Sequence, residues 1–247
     1  MRSDIITIVP TFHKRLKYIP FVEKAIDIYL TINAHRAYIS DVEIATISRT
    51  TFVSKKKEWA EIILEGIVEL GKQYEFQYVF LLLEDLVPFK EVPVSVVDNH
   101  LALMKKYDYK SIVFSTYPKE WMDDSFSSTI IDGMDFYEIP HSFKFYSQLQ
   151  PGIWNKEYLQ TILRTLISEK KFSPWEFEYF KSDEKHFVSK YPWPNVLGGF
   201  IESGEVNVEF IESINGNKDL AGLKGMLQRE YYKALPGQLF RKIFKSK

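Results

Sequence analysis

The chain has 247 residues, with 32 basic and 33 acidic side chains, a formal net charge of −1 and no cysteine. That length holds one large α/β domain or two small ones. The charge balance lacks the basic footprint of a nucleic-acid partner, and the missing cysteines exclude disulfides and thiolate metal sites.

The elements follow in order. "DIITIVPTF" predicts a short buried strand over residues 5–9, stopped by Pro10. Asp4 and Pro10 interrupt the apolar run that an export signal needs, and no window approaches ~18 apolar residues. The expectation is a cytoplasmic chain. Ile19, Val22, Ile26 and Leu30 recur at spacings of three and four, the stripe of an amphipathic helix. "AYIS" is a second short strand, followed by Asp41. "KKKEWAEIILEGIVEL" places Trp59, Ile62, Ile63, Ile67 and Leu70 on one helical face. "YVFLLL" is a third strand, "VSVVDNHLALMKKY" a helix and "SIVFST" a fourth strand. Alternation of this kind predicts a parallel sheet covered on both faces, and residues 1–116 read as a Rossmann-like half.

Beyond residue 116 the rhythm changes. "FYEIP" and "HSFKFYSQLQP" read as strand or loop. "NKEYLQTILRTLI" is a helix with Leu159, Ile162, Leu163 and Leu166 in phase, and "SPWEFEYFKSD" opens another. "HFVSKYPWPNVLGGFIESGEVNVEF" is strand-like with proline and glycine breaks, and the last thirty or so residues return to helix. No compositional shift marks a linker. The expectation is one domain with two lobes, 1–116 and 117–232, and a basic tail, 233–247.

In an open parallel sheet, ligands bind outside the carboxyl ends of the strands. Thr11, Asp41 and the pair Glu84–Asp85 fall at three such ends. Hard cations such as Mg²⁺ and Mn²⁺ take oxygen ligands, often one or two carboxylates plus substrate phosphates. Glu84 and Asp85 suit that role; they equally suit the capping of a turn. "VPTFHKRL" sets Arg15 within reach of an anion at the first strand end, with His13 and Lys14 expected in solvent. Neither a G-x-G-x-x-G fingerprint nor a P-loop is present.

In "KFSPWEFEYF", Ser173, Pro174 and Glu176 spell a capping box. Glu178 lies roughly 200° around the helix from Glu176. Its aromatic neighbours Trp175, Phe177 and Tyr179 offer a partly dry setting, which raises a carboxyl pKa toward that of a general base. A plain surface acid is the competing reading. In "FYSQLQPGIW", Ser147 and Gln150 can meet sugar hydroxyls or can belong to an ordinary strand and turn. The five histidines show no i, i+4 pair, and no G-x-S-x-G elbow occurs.

"IITIVPTFHKRLKYI", "YVFLLLEDLVPF" and "YSQLQPGIWNKEYL…SPWEFE", in that order, resemble bacterial glycosyltransferases of the GT-A type, of the kind encoded in capsule and lipopolysaccharide biosynthesis clusters. The likeness spans residues 4–180. It implies a GT-A-like, Rossmann-type α/β sheet flanked by helices, in a single domain with nucleotide and acceptor lobes. It implies transfer of a sugar from a nucleotide-diphosphate donor to a glycan or lipid-linked acceptor, with inversion, in cell-surface polysaccharide synthesis. By that likeness Pro10, Thr11 and Arg15 line the nucleotide pocket and Asp41 contacts base or ribose. Glu84 and Asp85 stand at the D-x-D metal motif for Mn²⁺ or Mg²⁺. Leu86 takes the place of the motif's last acid, so Asp85 is the better single ligand. Glu178, or else Glu176, is the base, and Ser147, Gln150 and Trp175 face acceptor or sugar.

Two rivals stand beside this reading. One is a non-catalytic, transferase-like domain that binds a sugar nucleotide or a partner, favoured by the imperfect motif. The other is a nucleotidyltransferase, which wants glycines that "VPTFHKRL" lacks. The tail "KALPGQLFRKIFKSK" carries five basic side chains from Lys233 on. Leu235, Leu239, Phe240, Ile243 and Phe244 share one helical face, which can pack on the domain or lie in an anionic membrane surface.

Overall fold

The computed structural model describes residues 2–32, 34–115, 125–195, 199–202, 205–213, 227 and 232–234. Strands β1 (Arg2–Thr11), β2 (Ala34–Ser40), β3 (Thr50–Val53), β4 (Tyr78–Leu81) and β5 (Ser111–Phe114) alternate with helices α1 (Ile19–Tyr29), α2 (Trp59–Gln73) and α3 (Val94–Tyr107). A 3₁₀ helix, His13–Tyr18, bridges β1 to α1. The hairpin β6 (Ser127–Ile131) and β7 (Met134–Glu138) comes next, then β8 (Gly152–Asn155), α4 (Lys156–Ser168), α5 (Pro174–Glu178) and β9 (His186–Ser189). A small ribbon, β10 (Ile201–Glu202) and β11 (Glu205–Val206), precedes α6 (Val208–Ser213).

The main sheet has nine strands in the order β3-β2-β1-β4-β8-β5-β9-β7-β6. It is a mixed α/β sheet flanked by helices, in a single domain. The strands of residues 1–116 run parallel to one another, as expected, and the antiparallel members come from the second half. β8 runs antiparallel between β4 and β5, and the β6–β7 hairpin adds an antiparallel edge to β9. β8 was obscured by its own composition. Gly152 follows a proline and reads as a break, yet it is a strand residue. A Cβ there would stand 2.7 Å from Val113 Cγ1 and 2.9 Å from the Ile112 carbonyl oxygen, so glycine permits the close approach of β5.

Strands buried on both faces read as continuous apolar runs, and β1 shows why. Ile5 and Val9 pack with Phe80, Phe114 and helices α1 and α3 on one face. Ile6 and Ile8 pack with Val79, Leu81, Trp154 and helices α2 and α4 on the other.

The topology also fixes where a ligand can enter. β1 pairs with β2 on one side and with β4 on the other, both in parallel. The chain therefore leaves β1 in one direction to build β2 and β3, then crosses to the opposite side to lay down β4. That reversal opens a crevice outside the carboxyl ends of β1 and β4.

Candidate functional site

A cavity of about 460 Å³ lies at this reversal point. Its wall draws on three separate segments: Pro10, Phe12, Lys14 and Arg15 after β1; Leu83 to Leu86 after β4; and Leu149, Gln150, Pro174, Trp175 and Glu178 from the second half. Trp59, at the start of α2, completes it.

The acidic pair is presented by a β-turn. The Leu86 N–H donates to the Leu83 carbonyl at 3.0 Å, so Glu84 and Asp85 are the two central residues of the turn. The turn is held from behind. The Asp85 carbonyl accepts from Phe200 N at 2.5 Å, and Trp193 Nε1 donates to the Leu86 carbonyl at 2.8 Å. Gly199 has φ +74°, the left-handed region, and a Cβ there would overlap the Asp85 carbonyl oxygen. The sequence marked this stretch only as a proline- and glycine-broken strand.

The site's charges lie in a dry setting. Glu84 is buried, and burial together with the neighbouring Asp85 charge pushes its carboxyl up to about 8 against the opposing pull of Arg15. Burial likewise raises Asp85. Arg15 Nε stands 3.8 Å from Glu84 Oε1. Arg15 and Asp85 line the cavity, and their Nη1 and Oδ1 atoms, like Oγ1 of the adjacent Thr11, are buried with no hydrogen-bond partner among the described residues. Buried polar atoms are satisfied in most proteins, so unpaired atoms on two residues of opposite charge need an explanation.

Glu178 lines the same cavity. It is 7% exposed, and its Oε1 accepts from the Leu149 N–H at 3.2 Å. Burial raises its carboxyl pKa, the Leu149 bond opposes that, and the Asp85 charge adds to it. Glu176 points elsewhere. The capping box forms: Ser173 Oγ accepts from Glu176 N, and Glu176 Oε2 accepts from Phe172 N at 2.7 Å and Ser173 N at 2.8 Å. Those donors lower its pKa and hold it outside the cavity.

The remaining residues singled out in the sequence divide. Pro10, Arg15, Glu84, Asp85, Gln150, Trp175 and Glu178 share the cavity wall. Thr11 is buried behind it. Ser147 is not brought to the wall; its Oγ donates to the Phe180 carbonyl at 2.9 Å and its N–H to the Glu178 carbonyl at 3.2 Å, so it anchors α5. Asp41 is also off the wall. Its Oδ1 accepts from His13 N at 2.8 Å and its Oδ2 meets His13 Nδ1 at 2.6 Å, pinning the start of the 3₁₀ helix that carries Lys14 and Arg15. His13 is solvent-exposed, as expected, and is also paired with Asp41. Phe12, Trp59 and Leu149 were missed, because apolar residues beside a cavity carry the same pattern as those in a core.

No protein-family model matches the chain, and no curated protein matches its sequence. Among solved structures, S. aureus TarS 1–349 is 12% identical with a TM-score of 0.43, over 93% of this chain and 70% of that one. A CMP:2-keto-3-deoxy-manno-octonic acid synthetase complexed with CTP is 12% identical with a TM-score of 0.40, over 70% of this chain and 81% of that one. At these scores the likenesses carry no argument about activity.

Proposed function

We propose that the chain is a glycosyltransferase that moves a sugar from a nucleotide-diphosphate donor to a hydroxyl of a glycan or lipid-linked acceptor, with inversion. One observation supports this above the others. A single crevice at the β1/β4 reversal gathers Arg15 and Asp85, each with a buried polar atom that no hydrogen bond satisfies among the described residues, and the dry Glu178. A diphosphate satisfies the first, and a hard divalent cation satisfies the second. An acceptor hydroxyl meets the third.

In this reading the donor lies across the strand ends, its diphosphate on Arg15 and Lys14. Glu178 takes the proton of the acceptor hydroxyl as the oxygen attacks the anomeric carbon. The bond from that carbon to the terminal phosphate oxygen breaks, and the nucleoside diphosphate leaves. The leaving charge is the main electrostatic demand of the step. Arg15, desolvated by the cavity, meets it more strongly than it would in water. Phe12, Trp59 and Trp175 exclude water that would otherwise compete with the acceptor.

Asp85 and Glu84 fit Mn²⁺ or Mg²⁺ by donor type and by the unpaired Oδ1, with substrate phosphates as the other ligands. Bound there, the ion would neutralise the diphosphate. No group of three His, Cys, Asp or Glu able to hold a metal occurs among the described residues. That two-carboxylate set also favours a second reading, a sugar-nucleotide-binding domain without catalysis.

Release of free sugar from a panel of nucleotide-diphosphate sugars separates the two. The transferase reading expects slow donor hydrolysis by the parent and its loss in Arg15→Ala. A donor that binds and is never cleaved, with any acceptor, would leave the binding domain as the answer. A role in capsule or lipopolysaccharide synthesis belongs to the same proposal, as does peripheral contact of residues 233–247 with the membrane. Among the described residues, no helix is long and apolar enough to cross a membrane.

A further inference from the structure

Aromatic side chains lie exposed at and beside the cavity. Trp175 lines the cavity yet is 63% exposed, and Tyr179, four residues on, is 40% exposed. The Tyr179 N–H donates to the Trp175 carbonyl at 3.1 Å, so helical geometry puts both rings on one side of α5. Phe145 extends the row, its ring 5.5 Å from that of Tyr179. Lys144 Nζ stands over both, 5.4 Å from the Phe145 ring and 5.0 Å from the Tyr179 ring. Among the described residues, no ion pair involves Lys144.

Single exposed rings are ordinary, but several part-exposed rings grouped beside a cavity mark a surface that can take a ligand. A row of part-exposed rings beside a polar cavity suits a chain of rings better than an isolated small molecule. The electron-rich faces attract the polarised C–H groups of a sugar. A lysine held over the row supplies a charge for an anionic substituent.

We infer that Trp175, Tyr179, Phe145 and Lys144 form an extended subsite for an anionic oligosaccharide, which binds the sugar residues behind the one whose hydroxyl meets Glu178. This rests on the transferase reading for the direction of the chain, but binding to the subsite can be measured without turnover.

The test probes the full chain on an array of defined mono- and oligosaccharides, carrying uronate, phosphodiester or no charge on matched backbones. The expected result is capture of anionic oligosaccharides over their monosaccharides. Tyr179→Ala lowers that affinity about tenfold, and Lys144→Ala removes the preference for anionic over neutral glycans. The uronate and phosphodiester arms tell which anion is meant. Both residues are exposed, so the fold should survive, and thermal shift by nucleoside diphosphate with Mn²⁺ on the same samples should not change. Capture of no glycan by the parent, equal capture of mono- and oligosaccharides, or unchanged capture by both variants would overturn the inference. If glycan capture behaves as expected while no nucleotide binds the parent, the transferase reading fails and the subsite stands.

Discussion

Two glutamates two residues apart are given opposite work by their surroundings. Glu176 is held as a charged cap by backbone donors, and Glu178 is held dry against a single N–H. Glu178→Gln should therefore cut transfer by roughly 10²–10⁴-fold while donor binding persists. Glu176→Gln should lower the melting temperature and keep much of the activity. Steady-state kinetics and a melting curve on each variant check both, and the reverse pattern would move the base to Glu176.

The raised pKa of Glu178 also sets a sign. A carboxyl whose folded pKa lies above its unfolded value costs stability as pH rises out of the ordinary range near 4.5. The cost is complete once pH passes the folded value. Replacing Glu178 by Gln removes it, so the variant's stability relative to the parent should improve as pH rises above about 4.5 and level off once pH passes the raised folded pKa. The same ionisation should put the acid limb of the parent's rate profile above the ordinary carboxylate range. An acid limb at or below pH 4.5, with no change in relative stability, would mean that Glu178 is not desolvated.

At the scale of elements, the acidic turn depends on a strap distant in sequence. Gly199, in the left-handed region against the Asp85 carbonyl, leaves no room for a side chain. Gly199→Ala should cost about 1–3 kcal/mol and should weaken metal-dependent nucleotide binding as well, since the turn must move. Denaturant melts and nucleotide titration of one sample report the two effects, and a variant with parental binding would show that the strap does not position Asp85.

The same scale shows what the sequence could and could not convey. β1, α1, α2, α3 and α4 were legible because their apolar spacing is regular and long. The acid pair was legible because it ended a buried run, and the capping box because its four residues are contiguous. β3 was not: Thr50–Val53 is a short edge strand whose residues are half-buried or exposed. The antiparallel insertion of β8 was hidden too, because pairing direction is a long-range property that no local spacing records. Asp41 and Ser147 were polar residues in plausible places, and only tertiary contacts reveal that both hold backbone in position.

For the whole molecule, the reversal between β1 and β4 joins the two halves at one cavity, and under the proposed function donor and acceptor would meet there. Residues 235–247 of the basic tail lie outside the described residues, so its membrane contact is tested by itself. Flotation with anionic liposomes should recover the full chain and not one truncated after Tyr232. Recovery of both, or of neither, would exclude the tail as an anchor.

The central claim is that a nucleoside diphosphate binds at Arg15 and Asp85 and satisfies their unpaired polar atoms. A thermal-shift screen of nucleoside diphosphates, with and without Mn²⁺, tests it on the parent, Arg15→Ala and Asp85→Asn. At a hundred times the dissociation constant, one nucleotide should stabilise the parent by about 2.7 kcal/mol. Arg15→Ala should lose most of that gain, and Asp85→Asn should lose its Mn²⁺-dependent part. No shift with any nucleotide, or shifts of parental size in both variants, would contradict the account.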